Sequence, residues 1–235
     1  MKKSSLILIM LFCGFTAFAQ AVKDRNVIPV AVNLNQVLRM TITNGGNIEF
    51  VFNTIDDYKN GLSSQAASAA ANPATSVNFY KTDFNVASSS RWELTYGSEE
   101  ATFIGTDDPA NTDFTLDNVG FTITNNGGNH FNGTGEISTD PLRTDALISV
   151  PTNNALTVAA LQVYPTVLIT DAGSDAIANA GDSNDNSFTL NWRCGTAEAG
   201  TVVPMNDTKL INQNPSPAPD RYVVNVLFEL SALAY

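Results

Sequence analysis

Apolar residues in this chain recur at every second position in short runs, and the runs end at Asn, Gly, Asp, Pro or Ser. That period belongs to strands lying half in a core, because side chains alternate across a sheet but repeat every three to four residues on a helix. One clean half-buried run spans 91–96, where Trp92, Leu94 and Tyr96 alternate with Arg91, Glu93 and Thr95. Near the C-terminus Val224, Val226, Phe228, Leu230 and Ala232 alternate with Asn225, Glu229 and Ser231, with Leu227 as the exception. Further strands are expected over 27–34, 38–43, 47–55, 76–87, 101–104, 119–124, 147–150, 163–170, 188–193 and 201–205. Pro29 confines the first of these to an edge or to its own start.

Punctuation between the runs is equally plain. Asn44-Gly45-Gly46 predicts a tight hairpin joining 38–43 to 47–55, since Asn-Gly accepts the positive φ angles of a type I′ turn. One helical turn is expected within 54–62, closed by Gly61. The Ala- and Ser-rich stretch 63–75 reads as a short helix or a surface loop ended by Pro73. Pro215, Pro217 and Pro219 make a stiff lead-in to the last strand. The pattern predicts an all-β fold, an antiparallel β-sandwich (Ig-like or jelly-roll-like) with long loops and at most one or two short helices.

Two other architectures were weighed. The run Thr41-Ile42-Thr43-Asn44-Gly45-Gly46 is echoed by Thr122-Ile123-Thr124-Asn125-Asn126-Gly127, but one match between common strand and turn vocabularies is not a period. An outer-membrane barrel would also end in an alternating strand and an aromatic residue. Here Tyr235 falls in register with Leu233 and Ser231 rather than with the apolar face, and the strands are too few and irregular for a lipid-facing belt.

The first residues add an address. Lys2 and Lys3 precede an apolar run over 6–15, and Ala17-Phe18-Ala19 is a small-x-small cleavage site, so 1–19 reads as a signal peptide and 20–235 as one β-sandwich domain. Cys13 goes with the leader, and Met10-Leu11-Phe12 before it is not a lipoprotein acceptor context. The expected location is secreted, in the extracellular space, on the outer cell surface or in the periplasm. With Cys194 then the one remaining cysteine, no internal disulfide is expected, and a buried apolar role suits its strand context.

Charge and catalytic inventory narrow the function further. The formal net charge is −11, and losing Lys2 and Lys3 makes it more negative, which disfavours nucleic acid and anionic lipid surfaces as partners. A single histidine, His130, sits in a turn-rich stretch without a Gly-x-Ser-x-Gly elbow. Zinc sites built on several His or Cys ligands are excluded by count, and neither a P-loop nor a dinucleotide fingerprint occurs. No catalytic residue is nominated, and the expectation is a protein that is not an enzyme and carries no cofactor. The one candidate ligand is calcium. Asp171 with Asp175, and Asp182 with Asn184 and Asp185, place hard oxygen donors at short spacing, although the same residues satisfy turns. Thr106, Asp107, Asp108 and Asp113 form a second acidic cluster. Trp92 and Trp192 were weighed as sugar-stacking platforms, but each shares its face with apolar neighbours that favour a core position.

Three stretches together resemble a known kind of protein. They are Phe50-Val51-Phe52-Asn53-Thr54-Ile55-Asp56-Asp57-Tyr58-Lys59-Asn60-Gly61, Phe84-Asn85-Val86 with Arg91-Trp92-Glu93-Leu94-Thr95, and Tyr222-Val223-Val224-Asn225-Val226-Leu227-Phe228. The chain is similar to exported β-sandwich surface subunits of Gram-negative bacteria, some of them fimbria-like. That resemblance implies a scaffolding or adhesive role: a cell-surface structural or interaction protein, a filament or assembly subunit joined through strand edges. It departs from that kind in lacking paired cysteines and a recognisable C-terminal secretion domain. Segment 20–34 is a candidate donor strand, since Ile28, Val30, Val32 and Leu34 alternate on one face, and 223–233 is the candidate acceptor edge. Expected partners are other copies of the chain or other surface proteins. The alternative is a carbohydrate- or protein-binding module, with calcium organising its loops and glycans as partners.

Overall fold

The computed structural model describes residues 28–64, 79–129, 146–148, 158–171, 179–198 and 203–233; at 146–148 and 171 the description is of backbone alone. By contacts the chain divides into two units, Met1–Asn35 and Gln36–Tyr235. In the first, residues 28–35 are exposed and belong to no helix or strand.

The second unit is all-β. Its strands are β1 (Leu38–Asn44), β2 (Leu62–Ser63), β3 (Lys81–Ser88), β4 (Trp92–Ser98), β5 (Ile104–Gly105), β6 (Val119–Asn125), β7 (Ala146–Ile148), β8 (Ala159–Ala160), β9 (Thr166–Asp171), β10 (Ser187–Cys194), β11 (Tyr222–Val223) and β12 (Val226–Ala232). One sheet runs β1-β3-β10-β6-β8, with β2 also paired to β10. A second runs β12-β4-β9-β7, and β11 with β5 makes a small third. Each of these strand ladders is antiparallel.

The two larger sheets face one another through their alternating apolar residues. Phe84 and Val86 of β3, Phe121 and Ile123 of β6, and Phe188, Leu190 and Trp192 of β10 meet Trp92, Leu94 and Tyr96 of β4 and Ile169 of β9 in one buried cluster. Rings cross between the sheets at Trp92–Phe188, Tyr96–Phe121 and Phe84–Phe228. Burying each such side chain contributes about 1.5–3 kcal/mol, so this shared interior dominates stability in a unit without disulfides. A bulge in the β4–β9 ladder sets Leu94 against Ile169 but Thr95 against Val167. The extra residue, Leu168, is buried as well.

The helical turn lies where the capping residues put it. Helix α1 (Ile55–Asn60) starts at Thr54, whose hydroxyl accepts from Asp57 N–H while the Asp57 carboxylate accepts from Thr54 N–H at 2.8 Å. The N–H groups of Asn53 and Thr54, both donating to the Asp57 carboxylate, hold its pKa below the usual Asp value, and Gly61 ends the helix at φ +72°.

The expected hairpin at Asn44-Gly45-Gly46 is not formed. β1 pairs with β3 instead, and residues 47–53 form no strand before α1 begins. Gly45 has φ +70°, but a Cβ there would lie 1.7 Å from the Lys81 carbonyl oxygen. The glycine therefore admits a close backbone crossing instead of a tight turn. The expected strand over 27–34 is likewise unpaired where it is described. In 201–205 the described residues 203–205 form no strand. The echoed Thr-rich segments are not equivalent hairpins either: β1 leads into the Lys81 crossing, whereas the turn after β6 bonds the loop before β10 through Gly128 N–H to Asn184 O.

Candidate functional site: an acidic loop and an open seam

The acidic loop is built by its own turn chemistry. Asp182 Oδ1 accepts from Asn184 N–H at 2.7 Å and from Asp185 N–H at 3.1 Å, and Asp185 Oδ2 accepts from Asp182 N–H at 3.1 Å. The loop thus uses its carboxylates to satisfy its own backbone, which is what Asx-turn residues do. Asp171 ends β9, with only its backbone described, and Asp175 lies outside the described residues. Among the described residues no group of three or more acidic, His or Cys side chains is close enough to hold a metal ion. In the second acidic cluster, the Asp220 carboxylate accepts from the N–H groups of Asp107, Asp108 and Arg221, which lowers its pKa and ties loop 106–108 to the strand after it. Asp220 lies more than a hundred residues along the chain from this cluster, which is why the local spacing of acidic residues does not reveal it.

Immediately before this acidic loop lies a clasp that sequence patterning gave no sign of. Buried Asn179 receives Trp92 N–H on its Oδ1 at 3.0 Å and donates Nδ2 to Trp92 O at 2.7 Å. Its own carbonyl accepts the Trp92 indole N–H at 2.7 Å and Asn186 Nδ2 at 3.1 Å. Asn129 Nδ2 bonds Asn186 Oδ1 at 2.9 Å and closes the network.

Trp92 and Trp192 are both buried, so neither can stack on a sugar. Cys194 is a free, buried thiol, with its pKa pushed up by desolvation, in keeping with an apolar packing role. Arg193, on the opposite face of β10, is buried as well. Its Nη1 meets both carboxylate oxygens of Glu198 at 2.7 Å, while its Nε has no partner. Such a pair satisfies a charge that cannot reach water and marks structure more than chemistry. His130 lies outside the described residues.

Among the described residues, one border of the sandwich carries no further strand. β1 ends one sheet and β12 ends the other. They come together at a seam where Met40 and Ile42 of β1, Thr82 and Phe84 of β3, and Phe228 of β12 lie near one another. Leu38 and Met40 from β1, with Val226, Phe228 and Leu230 from β12, pack on the core but stay half-buried. The β12–β4 register is constant from Val226↔Ser98 to Ala232↔Trp92, and it is flanked by Glu99 N–H to Asn225 O and Leu233 N–H to Arg91 O. Leu227, Glu229 and Ser231 therefore bond β4. The backbone groups of Val226, Phe228, Leu230 and Ala232 point outward along the free edge.

In the first unit, Ile28, Val30, Val32 and Leu34 are 82, 84, 75 and 91% exposed. Isolated exposed aliphatic residues are ordinary, but four in strict alternation form an unpartnered apolar face. Among the described residues no helix is long and apolar enough to cross a membrane. No protein-family model matches the chain, and no curated protein is significantly similar to it.

Proposed function

We propose that this is a secreted cell-surface structural protein, a subunit of an extracellular filament or surface assembly whose copies join through β-strand edges. The alternating, exposed face of Ile28, Val30, Val32 and Leu34 is the observation that carries this reading. An extended segment with one apolar face and unpaired backbone groups gains both burial and hydrogen bonds by adding to a sheet edge. Long free edges at β1 and β12 give such a segment somewhere to go. The acidic composition keeps the subunits soluble before they associate. No catalytic step is part of the proposal. The carbohydrate-binding alternative has lost its two indoles to the core.

The test is negative-stain microscopy of the secreted protein, with its mass measured by light scattering over a concentration series. Filaments or higher-order particles are expected. A monomer at every concentration overturns the proposal.

A further inference from the structure

Resting on that reading, we infer that the seam between β1 and β12 is the docking site for residues 28–34 of a second copy of this chain, which adds as a strand along the free edge of β12.

Three observations single out this edge and this occupant. The first is length. β12 and β1 span seven residues each, as does 28–34, whereas β8 and β7 at the far ends of the sheets span two and three. The outward N–H of Ala160 in β8 is also already taken by Val203 O at 3.0 Å.

The second is parity. Along β12 the residues with free backbone groups, Val226, Phe228, Leu230 and Ala232, are the residues whose side chains turn toward the core. In the segment, Ile28, Val30, Val32 and Leu34 likewise put their side chains on one face and their N–H and C=O groups on one edge. Set antiparallel beside β12, the four apolar residues meet four positions whose backbone groups bond no described strand, and one registration places all four side chains over the half-buried seam. β1 matches less well: its inward row holds only Leu38, Met40 and Ile42 before a register shift breaks the alternation.

The third is Pro29. It has no N–H, but it lies on the segment's opposite edge with Ala31 and Asn33, so pairing with β12 does not need it. On that opposite edge the missing donor weakens any second ladder. The segment is thus suited to pair on one side only.

Because the donor segment and the acceptor edge are different surfaces of one chain, the contact is head-to-tail, and unless the rotation closes it extends into a filament. A full-length variant carrying Ile28→Ser, Val30→Ser, Val32→Ser and Leu34→Ser tests the donor. All four side chains are exposed, so the fold is expected to survive, as circular dichroism checks. Mean particle mass should fall at least tenfold, and filaments that persist at wild-type length overturn the inference. The acceptor is tested by mixing separately purified single variants under mild oxidation, with Ala232→Cys in one copy and either Ile28→Cys or Leu34→Cys in a size-tagged other. A disulfide-linked heterodimer at position 28, the antiparallel partner of Ala232, supports the inference and should exceed by at least tenfold the yield with Ile104→Cys as acceptor. Cross-linking at position 34 instead marks parallel docking, which would turn the Pro29 edge toward β12, and overturns the registration. Wild-type filaments with no cross-link above that control overturn the seam assignment and leave the proposed function standing. A monomeric wild-type protein overturns both.

Discussion

Asn179 is a single side chain standing in for a missing strand. The β4–β9 pairing begins at Leu94, and Trp92 lies beyond it, with its N–H and C=O turned away from β12. The Asn179 amide supplies one acceptor and one donor there, as the next residue of a strand would. Asn179→Ala removes these two hydrogen bonds from buried backbone groups of Trp92. Each bond lost in a buried setting costs about 1–3 kcal/mol, and water entering the space returns part of that, so a loss of about 2–4 kcal/mol is expected. The loop itself stays attached, because the backbone carbonyl of residue 179 still accepts the Trp92 indole N–H. A domain of this size shifts its Tm by about 2–4 °C per kcal/mol, so calorimetry should record a fall of roughly 5–15 °C. Asn184→Ala is the control. Asn184 lies exposed in the neighbouring turn, and the bond it gives to Asp182 comes from its backbone N–H, which the substitution keeps. Its Tm should move by less than about 2 °C. If the two variants melt together, the amide of Asn179 does not complete the β4 edge.

Three further outcomes follow from the same geometry. Tyr96 is fully buried with no partner for its hydroxyl, and burial raises its pKa, so Tyr96→Phe should stabilise the fold by about 1 kcal/mol in urea titrations; a destabilised variant refutes it. The Asp57 carboxyl has a folded pKa below its reference 3.8, so the stability it lends is present above that value and is lost as pH falls through the folded pKa. Asp57→Asn should therefore melt below wild type at pH 7 and together with it near pH 2, and a gap that stays constant with pH is the contrary result. Because the carboxylates of Asp182 and Asp185 already serve backbone donors, calcium added to chelator-treated protein should leave the Tm unchanged; a rise of several degrees would restore the calcium site.

What could be read in the residues was whatever repeats locally. Trp92, Leu94 and Tyr96 in β4 and Val226, Phe228 and Leu230 in β12 declare their faces by alternation alone, and the capping box at Thr54 needs only three residues of context. The two-residue strands β2, β5, β8 and β11 have no period to detect. Asn44-Gly45 misled because a positive φ serves equally for a hairpin turn and for a close crossing, and the atom that decides, Lys81 O, belongs to another strand. Arg193 sits within an apparently ordinary alternation, and nothing at its own position foretells burial; the signal lay five residues on, at Glu198. The asparagines at 129, 179 and 186 read as loop residues because the same amide that breaks a strand can also complete one.

The donor face of the proposed contact was legible and its acceptor was not, for one physical reason. An exposed alternation is a property of consecutive residues, whereas a seam exists only when the ends of two sheets meet. β1 and β12 lie at opposite ends of the chain and share no ladder, so their adjacency arises from the stacking of the sheets. That origin also bears on what the contact can do. A strand added to β12 alone lengthens one sheet, but a segment able to pair on both edges would let sheets grow sideways without limit. Pro29 removes a donor from the edge of 28–34 opposite the one inferred to pair with β12. If the segment docks as inferred, Pro29→Ala should leave end-to-end assembly intact while adding thicker, laterally associated bundles under the microscope. Filaments of unchanged width would show that the proline limits nothing.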